Sequence, residues 1–68
     1  MTQKEIKAMS SGALIVELMS NERSIHYNLC KNRGVKALFK HRSDIVKELL
    51  NREVINPTEA EELLEEID

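Results

Sequence analysis

His26 and Cys30 stand four residues apart, the spacing that puts two side chains on one helix face, and His41 is the second of two histidines. An imidazole beside a thiol could hold a metal ion or activate a thiolate. Zinc takes four ligands, commonly in closely paired spacings. The 68-residue chain offers at most three nitrogen or sulfur ligands and no Cys-x-x-Cys, so no metal site is expected. A small, weakly polar Cys more often packs than reacts, and Cys30 is read the same way. His41-Arg42-Ser43-Asp44 shares letters with a kinase catalytic loop. The chain has no room for the phosphate-covering and metal-binding segments which that chemistry needs. Neither a catalytic residue nor a cofactor is expected.

The residues that remain act by charge. Arg23 to Lys47 holds seven bases (Arg23, Lys31, Arg33, Lys36, Lys40, Arg42, Lys47) against one acid, Asp44. The last ten residues hold six acids and no base. A chain of net charge −2 that separates its charges in this way has a polarised surface, which implies charged partners or self-association.

Lys31, Arg33, Lys36, Lys40 and Arg42 form a candidate nucleic-acid surface around Gly34. If Gly34 were the turn of a helix–turn–helix, Arg42 would be the one good base reader, but Lys40 would fall where such motifs bury an apolar residue. The competing reading is a solvated basic face that balances acids elsewhere in the fold. Glu61, Glu62 and Glu65 are candidate partner contacts on an acidic C-terminal helix, and Leu38, Phe39 and Leu49 are candidate apolar contacts. Acids at that helix's end oppose its dipole, so it should need docking, with the basic helices as the electrostatic partner.

The elements that position these groups read as helices. Thr2 and Glu5 have capping-box spacing, which starts a helix over about residues 3–8. Ser10 reads as a new N-cap, with Met9 and Leu14 in hydrophobic-staple positions; a helix running through is the alternative. Leu14, Ile15, Leu18, Met19, Ile25 and Leu29 recur at helical spacing and predict a helix over 11–32, with a possible break at Ser20-Asn21. Gly34 is the expected left-handed residue past its end. Val35, Leu38, Phe39, Ile45, Val46, Leu49 and Leu50 predict a helix over 35–52. Arg42 interrupts that stripe and Ser43-Asp44 resembles a cap, which predicts a break or bend at 41–43; a single helix with Arg42 snorkelling to water is the alternative. Asn56-Pro57-Thr58-Glu59 is a start signal, and Ala60, Leu63, Leu64 and Ile67 follow as one stripe over 57–67.

With no strand-like alternation and only two Gly and one Pro, the expected fold is all-α, one domain, a three- or four-helix bundle. At this length only about 60% of the unfolded surface can be buried. Tyr27 and Phe39 are the sole aromatics, so the core must rest on Leu, Ile, Val and Met or borrow area from a second copy. Cys30 has no partner within the chain, which fits a reducing, cytoplasmic setting. The longest apolar run, Ala13 to Val16, is far too short to cross a membrane, and the first residues do not read as a signal peptide. The expectation is a non-enzymatic regulator or inhibitor-type protein, bacterial or from a phage, that engages another protein or itself. It would have no membrane association and no small-molecule substrate. A small DNA-binding regulator is the alternative.

Overall fold

The computed structural model describes residues 2–65, with side chains through residue 63. Over this span the fold is all-α. The helices are α1 (Gln3–Ala8), α2 (Ser11–Cys30), α3 (Lys36–Asn51) and α4 (Pro57–Glu65). The positions of Leu64, Ile67 and the acids beyond Glu62 in the expected stripe lie outside the described side chains.

Three of the four starts follow a local signal, whereas α3 begins at Val35 with no side-chain cap. Thr2 Oγ1 accepts from the Glu5 N–H at 3.3 Å, and Glu5 Oε1 accepts from the Thr2 N–H at 3.2 Å. The Thr2 main-chain bond, then its hydroxyl, hold the Glu5 carboxyl below the usual value. Ser10 Oγ accepts from Ala13 N–H at 3.1 Å, so the chain does break between α1 and α2. Asn56 Oδ1 accepts from Glu59 N–H at 2.8 Å, with Pro57 first in the helix.

The possible break at Ser20-Asn21 and the break or bend expected at 41–43 are both absent. α2 runs through Ser20-Asn21 because Asn21 faces inward: its Nδ2 donates to the Leu38 carbonyl of α3 at 3.1 Å instead of capping its own backbone. α3 runs through His41 to Ser43 because Arg42 also lies on the buried face, only 2% exposed, where Nε donates to the Leu63 carbonyl at 3.3 Å. Arg42 therefore neither ends the helix nor snorkels to water.

Gly34 is not the left-handed residue after α2; Asn32 is, at φ 57°. Arg33 N–H donates to Asn28 O at 2.8 Å and Asn32 N–H to Leu29 O at 3.1 Å, the paired bonds of a Schellman end. Asn tolerates that region better than most side chains, which lets it displace the downstream glycine. The same device ends α3 with Glu53 at φ 60°, where Val54 N–H donates to Leu49 O and Glu53 N–H to Leu50 O, each at 3.0 Å.

α3 is central: α1, α2 and α4 each pack on it. The core is Ile6, Leu14, Leu18, Ile45, Val46, Leu49 and Ala60, edged by Met9, Leu50, Ile55 and Leu63. It contains no aromatic ring. The radius of gyration is 11.8 Å and the shortest extent 16 Å, so the molecule is a slab about two helices thick. In a slab this thin a long outer helix such as α2 keeps one side uncovered.

Candidate interaction surfaces

Three features carry exposed chemistry: the outer face of α2, a row of cations along α3, and a polar depression between α2 and α3.

α2 turns about 100° per residue, so the apolar stripe read from its sequence divides into two. Leu14, Leu18 and Ile25 point inward and are buried. Their sequence neighbours Ile15 and Met19 turn outward at 43% and 52% exposure, joined by Leu29 at 53% and Val16 at 66%. Glu22, Arg23 and His26 lie among them on the same helix. The sequence reading took both as a single stripe. The signal available was width: Leu14, Ile15 and Val16 in succession span more than half of the helix circumference, more than one packed face can cover.

The candidate nucleic-acid residues do not all come together. Lys31, Arg33, Lys36 and Lys40 are exposed. Arg42 is not among them: buried under α4, it has no route to a base edge or a phosphate. Lys47, which the sequence reading left out of the candidate set, is exposed on the same row of α3 as Lys36 and Lys40. Among the described residues none of these five cations makes an ion pair. Among the described side chains these five cations therefore do not pair with the acids of α4. α4 docks through apolar Ala60 and Leu63, while Glu61 and Glu62 stay exposed. Glu65 lies outside the described side chains.

Among the apolar partner candidates, Leu38 and Phe39 are half-buried. Leu49 is a correction: at 1% exposure it belongs to the core and has no surface to offer a partner.

Thr2, Gln3, Glu17, Ala37, Lys40, His41 and Asp44 line the depression, where His41 Nε2 stands 3.2 Å from Glu17 Oε1. That contact ties α3 to α2 one helical turn before the Asn21–Leu38 bond, on the same side of both helices. His26 and Cys30 are both exposed on α2. Among the described residues no group of three or more His, Cys, Asp or Glu is placed to hold a metal ion. No described helix is long and apolar enough to cross a membrane.

Arg52 closed the helix predicted over 35–52 and was given no role by the sequence reading. In the fold its guanidinium joins three helices. Nε donates to Glu48 Oε2 at 2.8 Å, Nη1 to Ser11 Oγ at 3.3 Å, and Nη2 to the carbonyls of Ile6 at 3.2 Å and Lys7 at 3.0 Å.

No known protein family matches the chain, and no match was found among curated proteins or solved structures.

Proposed function

We propose that this protein works by binding another protein chain through the outer face of α2, as a small regulatory or inhibitor-type module without catalytic activity of its own. The observation that carries this reading is the set Ile15, Val16, Met19 and Leu29, four large apolar side chains left at 43–66% exposure on one helix. Ile15, Val16 and Met19 lie within about one helical turn of each other, and grouped exposed apolar surface is costly in water and marks interaction sites. Covering a fully exposed side chain of this kind is worth roughly 1.5–3 kcal/mol, so four half-exposed ones supply on the order of 4 kcal/mol of driving force.

The spacing suits a helical partner. Ile15, Met19, Glu22, His26 and Leu29 recur at alternating steps of four and three, as along a coiled-coil seam. Two polar members near the middle would select partners able to satisfy them. The occupant is a second protein or another copy of this chain.

The test is a double substitution, Val16→Glu with Met19→Glu. Both sites are exposed, so the melting temperature should hold while capture of the partner from nuclease-treated lysate of the native host is lost. Light scattering on the same pair of proteins identifies self-association, as a mass above the monomer that the substitution abolishes. Undiminished capture by the double variant would sink the reading.

A further inference from the structure

Lys36, Lys40 and Lys47 lie on one exposed row of α3. At 1.5 Å per residue they are about 6 and about 10 Å apart along the axis. Lys31 and Arg33, also exposed, stand in the turn just before the helix. Among the described residues no acid pairs with any of the five. Asp44, one turn after Lys40, lines the Glu17–His41 depression together with it but makes no ion pair with any of the five. Five cations near a single acid of α3 leave the row net positive, and a polyanion laid along it would relieve the repulsion among them.

A second observation lies at the end of the row. Tyr27 is 56% exposed, and Lys31 Nζ stands 5.8 Å from its ring centroid. An exposed ring with a cation over one face, close in sequence to further exposed cations, is the combination that grips a single strand, with lysines on phosphates and a base stacked on the ring's other face. We propose that this surface binds single-stranded nucleic acid without sequence preference. This site is separate from the apolar face of α2 and does not depend on the reading given for it.

Two competing ligands fit less well. Reading a duplex groove needs side chains aimed at base edges, and Arg42, the one suited to that task by sequence, is buried. An anionic membrane surface would favour exposed apolar anchors beside the lysines, yet the row is flanked on α3 by Ala37, Ser43, Asp44 and Asn51, and Phe39 is half-buried.

The experiment is fluorescence anisotropy with a labelled oligothymidylate, a duplex of equal length and anionic vesicles as parallel probes. Five phosphate contacts on a single strand predict a log–log salt slope near −3.5, a loss of roughly 100-fold between about 50 and 200 mM salt. Lys40→Glu and Lys47→Glu should each weaken binding and make that slope shallower by about 0.7 or more. Tyr27→Phe should retain affinity and Tyr27→Ser should lose about tenfold. All of these positions are exposed, so an unchanged circular dichroism spectrum will show that the fold is intact. The proposal is overturned if the single strand does not bind at the lower salt, if the duplex binds equally well, or if vesicles bind and the oligonucleotide does not. It is also overturned if the charge reversals leave affinity unchanged.

Discussion

Arg52 at the end of α3 donates from Nη2 to the main-chain carbonyl of Ile6, 46 positions earlier, at 3.2 Å. That bond and its neighbour to Lys7 satisfy carbonyls at the end of α1, a helix of six residues too short to be stable alone. Arg52→Ala should therefore destabilise the fold by roughly 1.5–3 kcal/mol, the range for hydrogen bonds to a charged donor. Arg52→Lys should recover only part of this, because an ammonium lacks the planar fork that reaches Ser11, Ile6 and Glu48 together. Urea denaturation of the three proteins checks both statements, and equal midpoints would refute them.

Arg42 makes the opposite kind of prediction. Its side chain is buried between α3 and α4, so Arg42→Ala should cost about 2–4 kcal/mol through the cavity left and the lost bond to Leu63 O. Arg42→Met fills more of the volume and removes the cost of burying a charge, so it should cost clearly less than the alanine change. Neither variant should alter oligonucleotide binding at the α3 row beyond its effect on folding.

What was legible in the sequence was local. Thr2 with Glu5, Ser10 and Asn56 with Glu59 each act within four residues, so spacing alone predicted the caps that form. The all-α class followed from periodicity. What failed was polar residues whose partners are remote in sequence. Asn21 and Arg42 interrupt apolar stripes, and an interruption reads as a break; here each is turned inward to a carbonyl of another helix, 17 and 21 positions away. Arg52 was invisible for the same reason. At the site, Lys31 to Lys40 were legible as a basic patch, whereas removing Arg42 and adding Lys47 required knowing which side of α3 faces α4. The exposure of Ile15 and Met19 required knowing that nothing covers α2.

Burial separates two classes of apolar residue that look alike in sequence. Leu49→Ala should cost roughly 2–5 kcal/mol, whereas Val16→Ala should change stability by no more than about 0.5 kcal/mol. Thermal and chemical denaturation of the pair would show whether the division of α2 and α3 into inner and outer stripes holds. A large loss from Val16→Ala would place that residue in a folded interface, such as one between two copies.

The left-handed residues offer a gain in stability. Glu53 holds φ 60°, a region that costs a residue with a Cβ roughly 1–2 kcal/mol and glycine nothing. After glycine's greater freedom in the unfolded chain is counted, Glu53→Gly should stabilise by about 0.5–1 kcal/mol. Asn32→Val, at φ 57°, should destabilise, because a β-branched side chain fits that region worst. A lower melting temperature for Glu53→Gly would contradict the turn geometry.

Since α1, α2 and α4 each rest on α3, detachment of one outer helix leaves the contacts of the others with α3 standing. The native state is then a hub with three separately releasable arms. Hydrogen exchange should follow that arrangement: amides of α3 should exchange only when the whole chain opens, those of α1 and α4 by partial openings at lower free energy. An opening that lifts α4 alone would bare Arg42 to water and add a fourth exposed cation to the three on α3. A ligand with negative charge would bind that opened form more tightly than the closed one, and would shift population towards it only by the margin of that preference.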